Sequence, residues 1–576
     1  MTNDKSKMTN GKRCSIFVIC SFFICSFALR LAPLGRYVTP DEPAWVYRAV
    51  RFADALSARD WAAIPSTGHP GVTTMWLGAL GVAVRRLLDP AGSIAHLDWI
   101  RRLAWLAPEN GEAFRHLAFF LPYGRVAVAL VTTLGLVALY PLLARLFDRR
   151  VALLTVGLLA CDPFLIGHSG LLHTDALLAT FSLLALVSAL NGLREPRRAV
   201  WWALSGLFAG LALLTKTPGV VVVLFLIGIS VFYVSRLTFH VSRFTLVHCS
   251  LFIVSLLITL FALYPALWAD PLKVADTLVG FAGRHVETVQ RPIFFAGQMT
   301  YDPGPAFYPV VFLFRVSPVV LVGLLVGLVR VRRLPADRRF AFLALLAFAV
   351  GFGALMSLGA KKHDRYLLPA FPPLTLAAAL GIGTSVDQYI GKLVKPTNRR
   401  STNLPIYQFT ILIQALITLT FAPHPLTAFN PLLGGPWGAA RVLSVDWGEG
   451  MGAAARWLNQ LPDADRLTVA ASSVPSFASL FVGRTVPLDR ASLADYVVQP
   501  PNLPILQSPD LPIVYTAHLG FLDHAVVLTN TAPFEQAAYL SAHVGPDDLI
   551  VLDADTPLLR CYTGPGTIVS VAAVAR

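Results

Sequence analysis

Residues 145–181 read RLFDRRVALLTVGLLACDPFLIGHSGLLHTDALLATF, and this stretch decides the fold class. Arg145, Arg149 and Arg150 lead into a long apolar run. A polar patch holding Asp162, His168, His173 and Asp175 interrupts it, and a second apolar run follows. Segments of about 17–25 apolar residues can cross a hydrocarbon core of about 30 Å. The stretch therefore reads as two membrane spans, with a basic end on one face and a mixed acid and imidazole end on the other.

The whole chain agrees. Of 576 residues, 55% are hydrophobic and only 14% charged, and the mean hydropathy is +0.62. A soluble protein of this size could not keep so little charge on its surface, so a polytopic membrane protein is expected. The formal net charge of +14 does not argue for nucleic acid, because Lys and Arg gather in short patches between apolar runs. Of the cysteines, Cys14, Cys20, Cys25, Cys161 and Cys249 precede the polar tail and Cys561 lies within it. None has CxxC or Cys/His metal spacing, which disfavours a disulfide framework. The first apolar run follows Lys12-Arg13 but lacks a convincing small-residue cleavage site, so it is expected to be retained as a span.

Eleven spans are predicted, at about 14–33, 119–146, 150–167, 174–192, 199–214, 216–235, 246–268, 306–329, 339–359, 364–384 and 405–422. With the N-terminus in the cytoplasm, every inner segment is basic: Lys5, Lys7, Lys12 and Arg13; Arg145, Arg149 and Arg150; Arg194, Arg197 and Arg198; Arg236 and Arg243; Arg330, Arg332, Arg333, Arg338 and Arg339; Lys392, Lys395, Arg399 and Arg400. This positive-inside alternation predicts a multi-pass plasma-membrane protein with an extracytoplasmic tail. The expected organisation is a transmembrane domain over 1–422 and a small extracytoplasmic α/β domain over 423–576. Outer loops cover 34–118 and 269–305. Within the first, residues 70–88 are too short for a span and suit an interfacial helix. In the tail, runs such as Leu467–Ala470, Ile513–Tyr515 and Leu549–Leu552 alternate with Pro, Gly and Asp turns, after a helical stretch near Gly450–Leu461.

Ionisable residues at the outer ends of the spans are the candidate chemistry. Asp41 and Glu42 follow the first span in Thr39-Pro40-Asp41-Glu42-Pro43, and Arg125 lies in the second. His173 and Asp175 open the fourth, Lys216 sits in the turn before the sixth, and Asp302 precedes the eighth. Lys361, Lys362, His363, Asp364, Arg365 and Tyr366 form a dense group between the ninth and tenth. Each has a plainer reading. Asp41 and Glu42 suit a solvated loop equally well, Asp175 suits a helix N-terminus, and His69 and His173 suit interfacial packing. Lys361 to Arg365 suit snorkelling anchors. Against that last reading, they fall on the face that the charge rule leaves poor in cations. Carboxylates can deprotonate a hydroxyl and cations can stabilise a departing phosphate.

Five motifs in order then resemble a known family. They are the DE pair, the Arg of the second span, the 145–181 stretch, GLFAGLALLTKTPGVVVV, and KKHDRYLLPAFPPLTLAAALG. Together they resemble the GT-C glycosyltransferases of the protein O-mannosyltransferase and aminoarabinose transferase type, over roughly residues 14–385. The resemblance implies a glycosyltransferase that moves a sugar from a polyprenyl-phosphate donor to an acceptor hydroxyl on the extracytoplasmic face, with inversion. It implies Asp41 as general base, with Glu42 and Asp175 beside it in the catalytic group. It further implies Arg125, Lys216, Lys361, Lys362, His363, Arg365 and Tyr366 around the donor phosphate. His69, His173 and Asp302 would be donor or acceptor contacts. The expected partners are the lipid-linked sugar, membrane lipid and a protein, glycolipid or glycan acceptor, not nucleic acid. No cofactor is fixed by the residues, and a divalent metal is compatible with the superfamily. Aminoarabinose transferases carry Lys-Pro where this chain has His69-Pro70, which departs from that branch. The alternative is a polytopic flippase or transporter of lipid-linked sugar, which would predict broken helices near the bilayer midplane.

Overall fold

The computed structural model describes residues 20–65, 69–195, 197–237, 243–287, 292–393, 404–500, 513–519, 521–529, 549–552, 558–563 and 567–572. Residues 14–19 of the expected first span, with Lys5, Lys7, Lys12, Arg13, Lys395, Arg399 and Arg400, lie outside them. The chain divides into two compact units. The first comprises Met1–Leu34, Ala44–Leu97 and Phe120–Val445, and the second Gly35–Pro43, Asp98–Phe119 and Asp446–Arg576.

The first unit is helical and apolar. Four described helices are long and apolar enough to cross a bilayer: Leu121–Leu146, Asp175–Arg194, Ala336–Ser357 and the stretch Asp364–Tyr389. Shorter apolar helices cover Cys20–Leu31, Val200–Thr215, Gly219–Phe232, Val247–Leu263 and Pro405–Leu419. Two expected spans are not continuous, and this corrects the sequence reading. Arg149–Ala160 and Pro163–Ser169 meet at 64°, and Phe307–Arg315 and Pro318–Val329 meet at 112°.

Both breaks have a local cause. At each, a proline occupies the first turn of the new helix, where its missing N–H costs nothing, and a polar side chain caps it. Asp162 Oδ1 accepts from Leu165 N at 2.8 Å, and Ser317 Oγ accepts from Val320 N at 3.2 Å. A broken span also frees carbonyls that hydrocarbon cannot solvate. Gln414 Nε2 donates to Cys161 O at 3.1 Å, and the Thr418 hydroxyl donates to the same oxygen. At the second break Asn430 serves the carbonyls, donating from its N to Phe314 O at 2.7 Å and from Nδ2 to Leu313 O at 3.0 Å.

The expected interfacial segment is a helix, Val72–Leu88, with Leu80, Leu87 and Leu88 exposed. Gly71 precedes it at φ +60°, and a Cβ there would lie 2.2 Å from the Trp45 ring. Only glycine fits both the backbone and the space. The helix start is tied to the turn near Lys216: Gly71 N donates to Thr215 O at 3.2 Å, and the Thr73 and Thr215 hydroxyls bond at 2.8 Å.

The second unit carries a five-stranded mixed sheet. In spatial order its strands are Arg484–Pro487, Thr468–Ala471, Tyr496–Gln499, Leu522–Thr529 and Ile513–Leu519. The first three run parallel and the remaining pairings are antiparallel. Helix Glu449–Leu458 supplies Met451 and Leu458 to the apolar cluster beneath it, with Val469, Val498, Val527, Phe477 and Phe481. Strands Leu549–Leu552, Leu558–Thr563 and Thr567–Ala572 form a separate antiparallel sheet.

Candidate functional site

In the first unit, polar residues of three sequence segments converge on Asp175. This residue opens helix Asp175–Arg194, where the helix dipole favours an anion, and it is 1% exposed. Lys216 Nζ donates to its Oδ1 at 2.6 Å. Lys216 ends helix Val200–Thr215 in an extended backbone, which turns the chain so that the ammonium reaches back to the neighbouring helix. His173 Nδ1 lies 3.0 Å from Asp175 Oδ2, and Arg365 Nε lies 3.6 Å from the same oxygen. Such a charge would be costly to bury alone, and the surrounding cations offset that cost.

Tyr366 forms one wall, with Lys216 Nζ 4.3 Å and the Arg365 guanidinium carbon 5.4 Å from its ring centre. His363 meets the Tyr366 ring edge-on at 5.2 Å, and Trp45 meets His173 edge-on at 6.2 Å. Beside Lys216, His69 Nδ1 lies 3.5 Å from Thr217 Oγ1. Lys362 is 2% exposed, and its Nζ donates to Asp302 Oδ1 at 2.8 Å. Asp302 lies at 60% exposure, and that hydrogen bond holds its carboxyl below the ordinary value of 3.8.

Thus Asp175, His173, Lys216, Arg365, Tyr366 and His363 come together, and Lys362 pairs with Asp302. Lys361 adjoins Lys362 at partial exposure, and Arg125 is buried within helix Leu121–Leu146. Asp41 and Glu42 belong to the second unit. Asp41 is half-buried, whereas Glu42 is fully buried. Glu42 Oε2 accepts from Thr39 N at 2.9 Å and from Thr39 Oγ1 at 3.0 Å. Glu42 N in turn donates to Thr39 O at 3.3 Å, so the two residues close the turn that leads into helix Glu42–Ala58.

Two residues of this neighbourhood escaped the sequence reading. Trp45 has no distinguishing signal. Arg315 does: it is a lone charge inside the apolar run 306–329, where an ionisable group is unusual. Its Nε and Nη2 donate to Asp364 Oδ2 at 3.0 and 2.6 Å, and its Nη1 donates to the carbonyls of Leu426 and Ala428 at 2.7 and 2.9 Å. Among the described residues, no three His, Cys, Asp or Glu side chains converge as a metal site would require.

Residues 123–268, which include Arg125, His173, Asp175 and Lys216, match the family model described as dolichyl-phosphate-mannose-protein mannosyltransferase. The matched stretch is that of a glycosyltransferase family, and it supports the GT-C class to which the sequence motifs point. Among solved structures, the chain is similar to ArnT from Cupriavidus metallidurans in the apo state. That likeness has 16% identity, covers 90% of this chain and 99% of that one, and gives a TM-score of 0.48. It is also similar to the Archaeoglobus fulgidus oligosaccharyltransferase in the apo form, at 13% identity, 84% and 69% coverage and a TM-score of 0.41. No curated protein matches.

Proposed function

We propose that this protein is a membrane glycosyltransferase that takes a sugar from a polyprenyl-phosphate donor and passes it to an acceptor hydroxyl at the extracytoplasmic face. One observation carries the reading: a fully buried carboxylate, Asp175, is held at once by Lys216 and His173 with Arg365 alongside, and three of these four lie in the family-matched stretch. In that neighbourhood Lys216, Arg365 and Arg315 face the carboxylates of Asp175 and Asp364. The cationic surplus suits a phosphate anion. The family's name supplies the lipid phosphate as the donor's chemistry.

In this mechanism the acceptor oxygen attacks the anomeric carbon as the bond from that carbon to the phosphate oxygen breaks. The electron pair leaves with the polyprenyl phosphate, and the configuration inverts. Asp41 takes the acceptor proton as general base. Lys216, Arg365 and Lys362 stabilise the charge that grows on the leaving phosphate. Asp175 fixes Lys216 and Arg365 rather than reacting itself. Glu42 holds the turn that presents Asp41.

A purified preparation should consume one member of a panel of undecaprenyl-phosphate-linked mannose, glucose, galactose and aminoarabinose, given membranes from a strain lacking the protein as acceptor. Asp41→Asn should abolish that turnover while leaving the protein in the membrane. Undiminished turnover by this variant would sink the role of Asp41.

A second reading, a flippase of lipid-linked sugar, draws on the two broken spans, a feature of transporters. Donor crossing sealed vesicles with no sugar transferred would favour it.

A further inference from the structure

Arg315 stands apart from the groups above because four hydrogen bonds to protein oxygens already engage its guanidinium. Three of its nitrogens donate to protein oxygens, and its guanidinium carbon lies 3.7 Å from the ring centre of Phe429 and 4.7 Å from that of Phe164. Flanked by two rings and 8% exposed, it has no face left for a substrate. Yet it reaches the candidate site through one shared carboxylate. Asp364 Oδ2 accepts from Arg315, and Asp364 Oδ1 accepts from the backbone N–H of Arg365 at 2.7 Å. Asp364 also opens the 3-10 helix Asp364–Ala370, whose second and third residues are Arg365 and Tyr366.

We propose that Arg315 is a positioning residue: acting through Asp364, it aims Arg365 at Asp175 and so sets the rate at which the phosphate departs. The inference rests on the transfer reading given above. Its physical basis is the guanidinium fork. Arg315 sits at the end of a helix broken at 112°, where a span interior would ordinarily tolerate no such turn. It ties that end to Asp364 on one side and to the Leu426 and Ala428 carbonyls on the other. A lysine keeps the charge but cannot form this planar set of bonds. Once Asp364 shifts, the N–H bond that orients Arg365 shifts with it. A misplacement of about 1 Å costs on the order of 100-fold in rate.

The test is a double-mutant cycle on donor turnover, using whichever undecaprenyl-phosphate sugar the panel identifies. Arg315→Lys should lower kcat by about 10- to 100-fold, with KM for the donor within about threefold, because charge stabilisation at departure is lost and ground-state binding is retained. Arg365→Met should lower kcat further. The double variant Arg315→Lys/Arg365→Met should be no slower than Arg365→Met alone, since Arg315 then has nothing left to aim. Losses that multiply would overturn the proposal, as would wild-type kcat in Arg315→Lys. If Arg315→Lys fails to run as a single gel-filtration peak in detergent, Asp364→Asn takes its place in the same cycle and decides by the same outcomes. An active Asp41→Asn variant would count against the transfer mechanism. Multiplying losses alongside an inactive Asp41→Asn variant would count against Arg315 alone.

Discussion

Glu42 in the second unit and Asp175 in the first are both carboxylates withdrawn from water, 0% and 1% exposed. They are held in opposite ways. Glu42 bonds three residues back, to Thr39, and Glu449 in the same unit accepts from Trp447 N just two residues away at 2.7 Å. These acids finish turns. Besides nearby His173, Asp175 draws Lys216 from 41 positions away and Arg365 from another helix. An acid that bonds its own backbone makes local structure, whereas one that gathers distant cations costs the fold desolvation and returns an electrostatic site. Burial alone does not separate the two; the sequence distance to the partner does.

The sharpest way to break this comparison is to neutralise each acid. Asp175→Asn should lower turnover by about 10²–10⁴-fold, because Lys216 and Arg365 lose the charge that holds them. Single-turnover donor consumption measures this, and a loss under tenfold would remove Asp175 from the site. Glu42→Gln should keep turnover within about tenfold, because the amide oxygen still accepts from Thr39, and should cost about 1 kcal/mol or less of stability. If Glu42→Gln were as dead as Asp41→Asn, Glu42 would itself be chemical and the contrast would fail.

Gly71→Ala tests the scaffold instead. The left-handed backbone alone costs about 1–2 kcal/mol, and the new methyl would displace Trp45, which borders His173. A lower melting midpoint with a raised donor KM is expected, and an unchanged pair of values would disconnect Trp45 from the site. The smallest effect belongs to Asp302. Its carboxyl is held below 3.8 by Lys362, so its contribution is complete above the ordinary carboxylate range and fades as pH falls through its lowered value. Solvent exposure keeps that contribution small. The melting midpoints of wild type and Asp302→Asn should therefore differ near neutrality and converge in acid. A difference that grew as pH fell would reverse the assignment.

Much of the fold was legible because hydropathy is a local signal. Among the described residues the apolar segments are helical, two of them as bent pairs rather than single spans, and the tail runs at Leu467, Ile513 and Leu549 became strands. The breaks were half-legible: Asp162-Pro163 and Ser317-Pro318 are helix-start signals that the apolar windows averaged away. Arg315 was lost in the same averaging. The two adjacent acids of Thr39-Pro40-Asp41-Glu42 were visible as a pair, but that Glu42 would turn back onto Thr39 while Asp41 stayed half-buried was not. The Asp175 cluster was legible as a set of residue types but not as a set of bonds. Which helix face meets which is fixed by tertiary packing, and no spacing rule links position 175 to position 365.

The stitch between helix Val72–Leu88 and the turn at Lys216 also has a consequence for biosynthesis. Its threonine pair is separated by 142 positions. At roughly 5–20 residues per second, the ribosome makes Thr73 about 7 to 28 s before Thr215 exists. Throughout that interval the Thr73 hydroxyl is without this partner. The helix's exposed leucines at 80, 87 and 88 give it an apolar surface that lipid can shelter meanwhile. Trp76 of the same helix waits longer still, because its Nε1 donates to Leu263 O, 187 positions on, so the bonds that fix this helix are complete only after residue 263 is made.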